Sequence, residues 1–141
     1  MDKGYYAVLI VIVALVIRGN KVLMVKLKEQ DKYMPRATWV FPFLDLDEEK
    51  SPRREILSLM EKFNIKVNLT GKVFKYYPSE NPKLLYFLYV MEHVNGEPEV
   101  LSFFQSYKWV PMADITAYST SFMDNNVSRF LEEKAKEYNQ T

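Results

Sequence analysis

The sequence predicts an α/β fold in which a mixed β-sheet is sandwiched between helices. Three observations predict it. Runs rich in Val, Ile, Phe and Tyr recur at strand length along the chain, with turn residues between them. Residues 52–63 carry an apolar stripe at helical spacing, and a second helical pattern closes the chain. The resulting order of strand, strand, strand, helix, several strands, helix is one that layers helices on a mixed sheet. At 141 residues, 48% hydrophobic and 15% aromatic, the chain can close one sizeable core and is too short for two ordinary domains. A single domain over residues 1–141 is therefore expected.

The most hydrophobic stretch is residues 5–17, YYAVLIVIVALVI. It is shorter than the roughly 20 apolar residues a membrane-spanning helix needs, and Arg18-Gly19-Asn20-Lys21 follows without a small-residue cleavage pattern. Its β-branched residues lose rotamers in a helix but pack well in a sheet covered on both faces, so it reads as a buried strand. Gly19-Asn20 is a two-residue turn signal, and residues 21–27 return as the second arm of a hairpin. Residues 28–38 are polar, contain Pro35 and read as a loop. Residues 39–41 form a short strand stopped by Pro42.

The helix start is the clearest local signal. Ser51 can cap free backbone N–H groups, and Pro52 suits the first helical position, where its missing N–H costs nothing. Ile56, Leu59, Met60 and Phe63 then share one face. Asn64 suits a left-handed residue at the helix end. Strands are expected over residues 65–69, 72–77, 83–93 and 105–110, with turns at 78–82 and 95–98. Residues 111–115 begin a turn or short helix, and residues 123–138 form a terminal helix with Val127, Phe130 and Leu131 on one side.

Composition excludes several classes of function. Lys plus Arg number 19 against 18 for Asp plus Glu, a formal net charge of +1, so no global field favours nucleic acid, an anionic membrane or an acidic partner. The absence of cysteine excludes disulfides, thiol nucleophiles and thiolate metal sites, and it fits a cytoplasmic protein. Only four glycines are present, and no phosphate-cradling glycine loop or Ser/His/Asp arrangement is visible. The one histidine, His93, ends an expected strand and reads as a solvated or hydrogen-bonded edge residue.

Residues 39–67, WVFPFLDLDEEKSPRREILSLMEKFNIKV, run from a strand ending in Trp-x-Phe-Pro through an acidic loop into an amphipathic helix. This region resembles the signature of the Nudix hydrolases, which present metal-binding glutamates to a pyrophosphate in that order. The hairpin arm from Gly19 to Val25 is similar to the family's opening strands. Gly96-Glu97-Pro98 and Lys108-Trp109-Val110-Pro111 resemble its closing Trp-Val-Pro strand, so the resemblance covers residues 7–115. It implies a Nudix-like α/β/α sandwich with a mixed β-sheet, magnesium-dependent pyrophosphohydrolase chemistry and nucleotide-type ligands.

The family's box reads G-x5-E-x7-R-E-U-x-E-E-x-G-U, with U aliphatic. Anchored on Asn64-Ile65, it places Leu59 at U and Glu61 at the first Glu of the pair. Lys62 then stands where the second Glu is expected, and Leu57 and Ser58 stand where Arg and Glu are expected. Phe43 and Leu44 replace the glycines after Pro42. Glu49 fits the isolated upstream Glu, although counting from Phe41-Pro42 puts Lys50 there. Arg54-Glu55 sits three residues too early to be the family's Arg-Glu. The box is thus degenerate, which leaves Glu49 and Glu61 as the candidate catalytic residues.

Magnesium takes near-octahedral oxygen coordination, and helix carboxylates three or four residues apart can share such an ion. Positions 58, 61 and 62 offer a hydroxyl, one carboxylate and an ammonium, so repulsion from Lys62 replaces attraction. No carboxylate lies between Glu99 and Asp114, where many family members carry a further acidic residue. Catalysis would then depend on a rearranged site drawn from the acidic loop, with Asp47, Glu49 and Glu61 as metal candidates.

The preferred expectation is a ligand-binding or interaction module with little or no hydrolase activity. Its ligand would be a nucleotide or other small molecule, with Phe43, Leu44, Ser58, Lys62, Phe103 and Phe104 as the ligand-binding candidates. Tyr76, Tyr77, Tyr86, Phe87, Tyr89 and Tyr107 add aromatic surface for a cleft or for a subunit interface. The alternatives are a divergent magnesium-dependent hydrolase of nucleoside diphosphate derivatives and a structural subunit, such as one of a homo-oligomer.

Overall fold

A computed structural model describes residues 9–27, 39–46, 49–77, 83–99, 104–118 and 123–139. The elements are β1 (Leu9–Arg18), β2 (Lys21–Leu27), β3 (Trp39–Val40), β4 (Phe43–Leu46), α1 (Pro52–Lys62), β5 (Lys66–Tyr76), β6 (Leu84–Asn95) and β7 (Phe104–Pro111). A 3-10 turn, Met112–Asp114, leads into α2 (Ile115–Tyr118), and α3 (Asn125–Asn139) follows. Among the described residues no helix is long and apolar enough to cross a membrane.

The hydrophobic run becomes β1, and all of its residues from Val11 to Val16 are buried. It turns at Gly19 (φ 64°) into β2, but the two strands pair only at Ile17 with Val22 and Arg18 with Lys21 before they part. From there β1 runs parallel to β6, which is antiparallel to β5, while β2 takes β7 and β3 as antiparallel partners. The expected mixed sheet is present, and the hairpin joins its two halves.

The segment expected as an acidic loop begins instead as a strand. β4 pairs antiparallel with β1, with Phe43 opposite Val13 and Leu44 opposite Ile12. Phe41-Pro42 is where the chain crosses from β2's side to β1's. Pro42 has no N–H for a ladder, yet its carbonyl accepts from Ala14 N at 2.8 Å. Nothing local announces β4, because its hydrogen-bond partners are some thirty residues earlier in the chain.

Two expected strands, 65–69 and 72–77, merge into β5. The ladder shifts register between Leu69 and Val73. Gly71 adopts φ 88°, and the Thr70 hydroxyl donates to the Val90 carbonyl at 3.0 Å while accepting from Lys72 N at 3.2 Å. The gap expected between the two strands is therefore a bulge inside one strand.

α1 follows the sequence closely. Ser51 accepts from Arg54 N at 3.4 Å, and Pro52 opens the helix. Ile56, Leu59, Met60 and Phe63 are all buried against the sheet, and Asn64 ends the helix at φ 65°. α3 is capped by Asp124, whose Oδ1 accepts from Val127 N at 2.9 Å. Val127 and Leu131 are buried, and Phe130 meets Phe74 edge-on at 5.6 Å.

Candidate functional site

The left-handed Asn64 and buried Leu59 set the register of α1's last two turns. On that register Leu57 and Ser58 are half-buried, while Glu61 and Lys62 are exposed. Glu61 lines a shallow cleft of about 420 Å³ with Asn64, Lys66 and Asn95. Glu49 is exposed ahead of the helix, and Glu55 faces Lys50 at 4.0 Å. Asp47 and Phe103 lie outside the described residues.

The turn before β7 closes on the end of α1. Gly96 has φ 93°, and a Cβ there would meet the Asn64 carbonyl oxygen at 2.5 Å, so only glycine fits. Glu99 N donates to the Phe63 carbonyl at 2.8 Å, and Asn64 Nδ2 donates to Glu99 Oε1 at 3.4 Å. Glu97 points elsewhere. It pairs with Arg18 at 2.7 Å and accepts from Tyr107 Oη at 3.2 Å and Trp109 Nε1 at 3.4 Å. The Arg18 hydrogen bond is the main reason the Glu97 carboxyl is held below its ordinary pKa; local desolvation opposes it. His93, expected as a solvated or hydrogen-bonded edge residue, donates from Nε2 to the Gly96 carbonyl at 2.6 Å and lies edge-on to Trp109 at 5.1 Å.

Of the aromatic candidates, the structure brings Phe43 and Phe104 together at 6.1 Å. Phe104 is only 2% exposed and stacks on Phe63 at 5.8 Å, so its ring belongs to the core rather than to an open cleft. The sequence could not distinguish these roles, because Phe63 comes from a different element. Phe43 and Leu44 are half-buried on β4.

Two further aromatic candidates, Tyr76 and Tyr86, lie where β5 and β6 meet the start of α3. Tyr76 and Tyr86 meet edge-on at 5.2 Å, and the Tyr76 hydroxyl is buried without a hydrogen-bond partner among the described residues. Burial pushes the Tyr76 phenol far above its ordinary pKa, and the Asp124 carboxylate and Tyr86 act in the same direction. Leaving a buried hydroxyl unpaired costs on the order of 1–3 kcal/mol. At the other end of the sheet, Ile17, Val90, Met112 and Phe130 line a cleft of about 600 Å³ together with Lys72 and Lys134.

No protein-family model matches the sequence, and no curated protein matches it. The structure does match solved structures. A NUDIX hydrolase from Nitrosomonas europaea superposes with a TM-score of 0.71 at 13% identity, covering 90% of this chain and 72% of the other. An Ap4A hydrolase from C. elegans gives 0.67 at 13% identity over 95% of this chain and 100% of the other. A MutT protein from Methanosarcina mazei Go1 gives 0.66 at 16% identity over 96% and 97%. The chain has the Nudix fold.

The side chains that this Nudix fold presents on α1 do not suit the magnesium ion on which Nudix chemistry generally depends. Glu61 is the one carboxylate among positions 58, 61 and 62, and Lys62 places an ammonium beside it. Among the described residues no three His, Asp or Glu side chains come together as a metal would require. Glu97 is already engaged by Arg18. Calorimetric titration with magnesium is expected to show no micromolar binding. Introducing Ser58→Glu with Lys62→Glu should raise metal affinity, because the helix already holds both positions in place. Failure of that double variant to gain affinity would show that the register set by Asn64 is wrong.

Proposed function

We propose that residues 1–141 form one Nudix-like domain acting in the cytoplasm as a binding module for a nucleotide or another small molecule, with little or no pyrophosphohydrolase activity. The observation that carries this reading is the left-handed Asn64 at the end of α1. It supports the register in which Leu57, Ser58 and Lys62 occupy the box positions of an arginine and two glutamates. Without those ligands, metal-activated water and charge neutralisation of a pyrophosphate are both lost. The fold and its surface clefts remain, which is what a binding role requires.

The ligand class is suggested by a neighbour described as an Ap4A hydrolase. Titration with ATP and ADP-ribose, without metal, should give saturable heats and no turnover. Tyr76→Phe, which removes an unpaired buried hydroxyl, should leave that binding unchanged and folding stability unchanged or improved, as urea denaturation would read. Absence of binding at millimolar nucleotide would discard the nucleotide reading.

A further inference from the structure

Each of the chain's two tryptophans carries a cation over its ring, and the two cations are held differently. Arg18 lies 4.9 Å from the Trp109 centroid and is pinned by its 2.7 Å ion pair with Glu97. Lys108 Nζ lies 4.9 Å from the Trp39 centroid and 5.0 Å from that of Tyr118. Those two rings are 6.1 Å apart and inclined at 88°, so β3 and α2 supply two perpendicular aromatic walls. Lys108 is exposed and makes no ion pair among the described residues. Its hydrogen bond to the Tyr118 hydroxyl is long, at 3.4 Å.

We propose that Trp39 and Tyr118 form a receptor for a methylated or quaternary ammonium, with Lys108 as its displaceable occupant. Attraction between a ring face and a cation needs no N–H group, and two rings at right angles can share one charge. A primary ammonium is compact and strongly hydrated, so it gives up more water between aromatic walls than a methylated one does. Exchange of Lys108 for a methylated ammonium therefore recovers lysine hydration and keeps the ring contacts. The flexible lysine stem lets the ammonium swing into solvent, with only the two rings and one long hydrogen bond to hold it back. Trp109 lacks this property, because releasing Arg18 would also break the ion pair to Glu97.

Fluorine NMR on fluorotryptophan-labelled protein tests this, with the two resonances assigned through Trp109→Phe. Tetramethylammonium chloride is titrated against sodium chloride at matched ionic strength. A saturable shift of Trp39 alone is expected, with Trp109 serving as the internal control. If Lys108 fills the cage about nine-tenths of the time, Lys108→Ala should tighten apparent binding about tenfold. Tyr118→Phe should retain binding and Tyr118→Leu should lose it, with the Trp109 resonance reporting that each variant is folded. A Trp39 signal that stays still in both wild type and Lys108→Ala would overturn the proposal. So would an equal response to sodium, or an affinity unchanged by removing Lys108; either would leave the lysine as a structural tie between β7 and α2.

Discussion

Replacing Phe63 by alanine is expected to cost about 3 to 5 kcal/mol of folding free energy, the usual loss when a large aromatic leaves a packed core. Phe63 is 0% exposed, its ring stacks on Phe104 with planes 21° apart, and Phe104 in turn meets Phe43. One side chain therefore ties the end of α1 to β7 and, through it, to β4. Since a domain typically has ~5 to 15 kcal/mol in hand, the variant should stand close to its unfolding threshold. Glu55→Ala is the matched control on the same helix. Its pairing with Lys50 at 4.0 Å is weak, and surface pairs are worth about 0 to 1 kcal/mol. Urea denaturation of both variants distinguishes the two sites. Small, equal losses would mean that α1 does not pack through Phe63.

The second large effect concerns activity. With magnesium or manganese present, hydrolysis of nucleoside triphosphates, dinucleoside polyphosphates, ADP-ribose and nucleotide sugars is expected to be negligible. Metal-assisted water activation and charge stabilisation are typically worth several kcal/mol of barrier, so losing their ligands lowers rates by orders of magnitude. The residues at stake are Leu57, Ser58 and Lys62 on α1. Contaminating hydrolases are the main hazard, and matched preparations of Asp47→Asn, Glu49→Gln and Glu61→Gln control for them. Robust turnover abolished by any one of the three would establish a rearranged carboxylate site and make the chain a divergent hydrolase.

The features legible in the sequence share a short range. Ser51-Pro52 starts α1 and Asn64 ends it because capping and left-handed geometry depend on groups within one helical turn. The hairpin at Gly19-Asn20 is local in the same sense, and the β-branched run before it, read as a buried strand, is β1. The resemblance of residues 39–67 to a Nudix box rests on such local spacing, and the fold it implied is the fold observed.

What escaped the sequence depends on partners far along the chain. β4 exists because β1 offers it an edge, and β5 is continuous because Thr70 reaches across to Val90. Phe104 looked like a ligand contact until Phe63 and Phe43 closed around it. The orphaned hydroxyl of Tyr76 and the cage of Trp39, Lys108 and Tyr118 have no sequence signature. The sequence alone determined the fold class and the bounds of α1, since these follow from residue type and short-range backbone geometry. Only the tertiary structure decided which aromatics are core, which are walls and which polar atom lacks a partner, because burial and pairing belong to the meeting of distant segments.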